Sequence, residues 1–223
     1  MSLGEVDATT FRISLQVGLL AALLCILAGT PLAWWIARAR PGIAWLLSSL
    51  ALLPLVLPPT AIGYYLLTLF GRGSGVGRFL IDELGLRLIF TWPGAAAAAA
   101  AVALPLYVRT ALAGFEHVDA DYIDVVRTFG KGRFATFVRV ELPLAWPSLV
   151  AAGLIGFARG IGEFGATVIV AGNIPGETQT VPTAIYDAVQ AGDHSLANAY
   201  ALLFLAAGLM LLAALTLALR RAR

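Results

Sequence analysis

Arg159 and Glu163 stand four residues apart in an otherwise apolar run from Leu144 to Ala171. Charged groups are costly in hydrocarbon, so at such depth they face a cavity, a partner chain or each other. On a helix this spacing stacks them on one face. Two readings stay open: a self-neutralising structural pair, or a charged lining for the path of an ion. Gly153, Gly156, Gly160, Gly162 and Gly165 surround the pair, and Gly156-x-x-x-Gly160 offers a close-packing seam, between two copies as readily as along a path. A second set is Leu53-Pro54-Leu55-Val56-Leu57-Pro58-Pro59. Its prolines leave carbonyls unpaired, which membrane depth tolerates only against protein or water; a plain kinked helix is the alternative. The third set is a polar island from Glu116 to Pro143. Tyr122, Val125, Val126 and Phe129 fall on one helical face there, with Asp121, Asp124 and Arg127 turned to water. Asp121 is expected to cap this helix, Asp124 to complement its positive end, and Gly130 to stop it. Its apolar face must dock on something, another protein or a bilayer surface.

Other chemistries lack their residues. Gly130-Lys131-Gly132 has neither the spacing nor the context of a phosphate-binding loop, so the chain is expected to bind no nucleotide. His117 and His194 lie in loops, and no span carries a carboxylate pair, which argues against an intramembrane enzyme. The single cysteine, Cys25, cannot form an intrachain disulfide, and no Cys/His cluster suggests a metal; no cofactor is expected. A net charge of +2 makes no case for nucleic acid.

The elements that must position these residues are membrane helices. Of 223 residues, 60% are hydrophobic and only 13% charged, too little charge to clothe a soluble domain. The fold class expected is all-α, a single domain over 1–223 with five spans of about 11–37, 44–70, 88–113, 144–171 and 196–219. The first run is too long for a cleaved leader and reads as a retained span. Arginine and lysine cluster in one set of loops: Arg38 and Arg40, then Arg127 to Arg139, then Arg220 to Arg223. The opposite set holds Arg72, Arg78 and Arg87, with Arg12 near the first span. The positive-inside rule then puts the N-terminus outside and the C-terminus and the 116–143 loop in the cytoplasm. Trp34, Trp35, Trp45, Trp92 and Trp146 read as interfacial anchors.

The loop pattern Asp124-Val125-Val126, Gly130 and Val140-x-Leu142-Pro143 resembles the "EAA" loop of ABC-importer permeases, with Asp-Val-Val in place of Glu-Ala-Ala. Phe157-Ala158-Arg159-x-x-Gly162-Glu163-Phe164-Gly165-Ala166-Thr167, followed by Gly172-Asn173-Ile174-Pro175-Gly176-Glu177-Thr178, is similar to the molybdate permease subfamily, as is the proline-rich segment. The resemblance runs from about residue 11 to 220. It implies a type I importer permease of the inner (plasma) membrane that carries molybdate or tungstate, driven by ATP hydrolysis in a partner. It also implies the partners: two copies of an ABC ATPase subunit, a periplasmic oxyanion-binding protein, a second copy of this chain, and the lipid bilayer. Tyr122, Asp124, Val125, Val126, Arg127, Phe129 and Gly130 would couple to the ATPase. Pro58, Pro59, Arg159, Gly162, Glu163, Gly165, Thr167 and Asn173 are the candidates for the path. A sulfate/thiosulfate permease is the nearest alternative, and an ion-coupled carrier using Glu163 a more distant one.

Overall fold

The computed structural model describes residues 6–128, 130 and 132–221. Its regular secondary structure is all helical, with no strand among the described residues. Helix α1 spans Ala8–Arg38, with Asp7 accepting a hydrogen bond from the Thr9 N–H at its start. Next come α2 (Pro41–Leu52), a short 3-10 turn at Leu53–Leu55, and α3 (Pro59–Phe70). A surface helix α4 (Gly75–Asp82) precedes the long α5 (Trp92–Glu116). The polar island holds α6 (Ala120–Thr128) and α7 (Arg133–Thr136). A π-helical turn, Phe137–Glu141, then leads into α8 (Leu142–Ile161). The chain finishes with α9 (Gly165–Ala171), α10 (Val181–Gln190) and α11 (His194–Arg221).

Helices α1, α5 and α8 form the core of the bundle. They approach closely because the residues between them are small. Ala95, Ala96, Ala98 and Ala99 of α5 are fully buried. A Cβ added at Gly29 would lie 2.4 Å from the Tyr107 ring, and one at Gly114 the same distance from Ser148 Cβ. The Gly156/Gly160 seam is taken by α1 of the same chain, since a Cβ at Gly160 would meet Ala21 Cβ at 3.0 Å. The outer face is the reverse of a soluble protein's. Leu15, Leu19, Leu23 and Leu27 run at four-residue intervals down α1 and are all exposed, the stripe a helix shows to lipid.

Among the described residues, three helical stretches are long and apolar enough to cross a membrane: Ala8–Arg38, Trp92–Glu116 and Arg133–Ile161. The second expected span, 44–70, is not one straight helix. Its two halves meet at 104°, each about 18 Å long at 1.5 Å per residue, against a hydrocarbon thickness of about 30 Å. Proline at 54, 58 and 59 is the cause, because the missing N–H groups interrupt the ladder and residue 58 is held extended before Pro59. The fourth expected span, 144–171, also breaks: α8 ends at Ile161 and α9 begins at Gly165.

Candidate functional site

The two breaks meet. Helices α3 and α9, each the second half of a broken span, pack backbone against backbone. A Cβ at Gly63 would stand 2.9 Å from the Ala166 backbone, and one at Gly165 3.2 Å from Pro59 Cβ. Pro58, Pro59, Gly162, Glu163 and Gly165 are thereby gathered into one region.

Glu163 occupies the break itself. It is only 3% exposed, and its Oε2 lies 2.6 Å from Arg159 Nη1. Its Oε1 accepts the Ala166 N–H at 2.9 Å. The carboxylate therefore neutralises Arg159 and also satisfies a donor that the first turn of α9 would leave orphaned. Arg159 is committed to this partner and is not a bare cation beside a path. Thr167 is buried and its hydroxyl donates back to the Glu163 and Phe164 carbonyls, so it braces the first turn of α9. Asn173 stands beyond the other end of α9, past Gly172. Its Oδ1 is buried with no hydrogen-bond partner among the described residues. The path candidates thus divide between the α3–α9 region and Asn173.

At the opposite end of α8 lies α6. Asp119, not Asp121, caps it: its Oδ1 accepts the Asp121 N–H at 3.0 Å. Asp121 is instead an acidic residue in the first turn. Ile123 is 4% exposed and joins the bundle core with Val118. Tyr122 and Val125 point away and are 60% and 55% exposed, while Val126 is half-buried. The apolar residues thus serve two faces, one seating the helix and one left open. Asp124 is exposed on the same helix. The Arg127 side chain and Phe129 lie outside the described residues. Gly130 has φ +71°, the left-handed value that ends a helix at little cost only for glycine.

A cluster that sequence reading missed joins this loop to the bundle. Glu141, 3% exposed in the π-helical turn, accepts on one oxygen from Arg38 Nε at 2.8 Å and Trp34 Nε1 at 2.9 Å. Arg38 Nη2 also donates to the Phe115 carbonyl in the last turn of α5, at 3.3 Å. One buried carboxylate so ties α1, α5 and the entry to α8. A signal was present in the sequence, a lone acidic residue beside Leu142-Pro143, but its partner is 103 residues away.

The ends of the helices agree on polarity. The Arg38–Glu141–Phe115 cluster sets the C-terminal ends of α1 and α5 beside the start of α8. At the far end the Asp7 N–H donates to the Tyr200 hydroxyl near the start of α11, at 3.0 Å. Helices α1, α5 and α11 therefore run one way and α8 the other.

Comparison with known proteins puts this architecture in a family. Residues 29–222 match the family of the binding-protein-dependent transport system inner membrane component. The molybdenum transport system permease protein ModB of Azotobacter vinelandii is 37% identical over 218 residues, 97% of this chain and 94% of that protein. ModB of Escherichia coli K12 is 41% identical over 191 residues, 85% of this chain and 83% of that protein. The sulfate transport system permease protein CysT of Salmonella typhimurium is 34% identical over 203 residues, 91% of this chain and 73% of that protein. With a family match over most of its length and close relatives over nearly all of it, this all-α chain belongs to the inner membrane components of binding-protein-dependent transport systems, multi-pass transport subunits rather than enzymes.

Proposed function

We propose that the chain is the membrane-spanning permease of an ATP-driven molybdate importer, with tungstate in the same chemical class. The observation that carries this reading is the open face of α6. Ile123 seats the helix on the bundle while Tyr122 and Val125 stand exposed beside it. A large apolar pair on a short helix outside the spans is suited to a groove on a partner, here the ATPase subunit. Similarity to two molybdenum permeases over most of both chains supports the cargo.

In this reading two copies of the chain form the conduit, two ATPase subunits sit below, and an oxyanion-binding protein delivers from above. The arginine-rich loops support α6 and the C-terminus in the cytoplasm and the start of α1 outside. ATP-driven approach of the ATPases displaces α6. The Trp34–Arg38–Glu141 cluster at the base of the loop passes that displacement to α1 and α5. The α3–α9 contact then opens on one side or the other. A neutralised Arg159 suits passage of a dianion, because a bare buried cation would hold the ion instead of releasing it.

The test is uptake of radiolabelled molybdate into proteoliposomes holding this chain, its ATPase and its binding protein. Uptake should require ATP inside the ATPase compartment, survive an uncoupler, and resist a tenfold excess of sulfate. Sulfate competing on equal terms would reassign the cargo, in line with the CysT relative. Collapse with the uncoupler at constant ATP would favour an ion-coupled carrier using Glu163.

A further inference from the structure

At the end of the bundle away from α6, a cavity of about 530 Å³ opens between the start of α1, the loop before α5 and the segment 176–178. Its polar lining is Arg12, Gln16, Arg87, Thr91, Glu177 and Thr178. Arg12 and Arg87 arrive from separate elements, and neither guanidinium is ion-paired among the described residues, whereas Arg38, Arg72 and Arg159 each hold a carboxylate. Glu177 lines the same cavity without closing on either arginine.

Among the apolar Ile13, Phe90 and Pro93, the remaining polar lining leans toward donors. The Gln16 amide has no hydrogen-bond partner among the described residues. The buried Thr178 hydroxyl accepts from the Ile174 N–H at 3.0 Å and keeps its own proton to give. The Thr91 hydroxyl is spent within the chain, donating to the Arg87 and Leu88 carbonyls and accepting from the Gly94 N–H, so it contributes only by capping the 25-residue α5, whose positive end faces the cavity. Opposed to these donors stands one carboxylate. Such a set suits a small ligand with several acceptor oxygens, negative charge and no proton of its own. It does not suit a cation or a neutral polyol.

We infer that this cavity is a receiving site for a tetrahedral oxyanion, where a dianion of the transported class is held before it reaches the α3–α9 region. The inference rests on the proposed reading of the chain as an outward-opening oxyanion permease, with the start of α1 on the outer side. Two guanidiniums brought from separate elements to one cavity suit a free ion with several oxygens better than a single acidic side chain of the binding protein, which one arginine would satisfy.

Equilibrium dialysis of the purified permease–ATPase complex tests it, without nucleotide or binding protein, against labelled molybdate and labelled sulfate in parallel. One saturable site per permease chain is expected. Both arginines are exposed, so Arg12→Gln/Arg87→Gln should assemble normally by size exclusion, yet bind about a hundredfold more weakly, roughly tenfold per guanidinium. Glu177→Gln removes the opposing charge and should tighten binding about threefold. No saturable binding of either ion, or equal binding by wild type and the double arginine variant, overturns the site. So does loss of binding-protein capture by that variant when wild type holds no free ion, since the arginines then serve an acidic docking group. Saturable sulfate binding with the same arginine dependence, and none of molybdate, leaves the site standing and overturns the molybdate assignment instead.

Discussion

Glu163 holds Arg159 with one oxygen and the first turn of α9 with the other. Removing both charges therefore does not return the site to neutrality of every kind: Arg159→Leu/Glu163→Leu still orphans the Ala166 N–H, whereas Arg159→Met/Glu163→Gln keeps an acceptor there. The second double variant should be the more stable by about 1 kcal/mol, the value of a helix cap, read from thermal unfolding in detergent. Equal stability would show that the cap contributes nothing. Glu141 is the more severe case, because its burial leaves Arg38 and Trp34 facing an empty acceptor when it is removed. Glu141→Ala should cost about 3 kcal/mol. The same variant should hydrolyse ATP in the complex with transport reduced by more than the loss of folded protein; transport falling only in step with folded protein would restrict the cluster to stability. The four-residue spacing of Arg159 and Glu163 was legible in the sequence. The break between them and α9 was not, because Gly162-Glu163-Phe164-Gly165 carries no proline and continues a hydrophobic pattern on both sides.

At the scale of the element, α6 uses its apolar residues on two sides. The sequence pattern reads as one docking face, but Ile123 turns to the core and Val126 is half-buried, leaving Tyr122 and Val125 for a partner. The two sides make different predictions. Tyr122→Asp and Val125→Asp should leave the permease folded and weaken recovery of the ATPase by tenfold or more, since an unpaired charge would be buried in the contact. Ile123→Asp should lower the thermal stability of the permease alone. Co-purification and thermal unfolding separate them, and full ATPase recovery with Tyr122→Asp/Val125→Asp would remove α6 from the coupling role. The prolines at 54, 58 and 59 were readable as a disruption of the second span, a break or a kink, and the 104° turn decided for the break. That the broken half α3 rests on α9 required the tertiary structure, because the contact depends on glycines at 63 and 165 that any loosely packed helix could also carry.

For the molecule as a whole, the helix polarities allow two orientations in the bilayer, and the proposed function takes the one that the arginine distribution favours. In a Cys25→Ala background, cysteines replacing Gly73 or Pro175, both exposed, should react with an impermeant thiol reagent applied to intact cells. A cysteine replacing Thr128, exposed on α6, should react only after the membrane is opened. The reverse pattern would turn the molecule over, and both the coupling role of α6 and the outer placement of the Arg12–Arg87 cavity would fall with it.

Composition and run length by themselves determined an all-α membrane protein, since hydrocarbon leaves a chain this apolar no alternative to satisfying its backbone internally. Local spacing pointed to α6, to Gly130 as its stop and to a break or kink at the prolines, because each depends on residues within a turn or two of one another. The tertiary structure alone decided what the charges outside the Arg159–Glu163 pair face. Trp34, Arg38 and Glu141 were visible as a belt residue, an interfacial arginine and a loop carboxylate, and Arg12 and Arg87 as two scattered cations. Unlike Arg159 and Glu163, one turn apart, these charges are neutralised or left open according to neighbours many residues distant in the chain, brought together only when the helices pack.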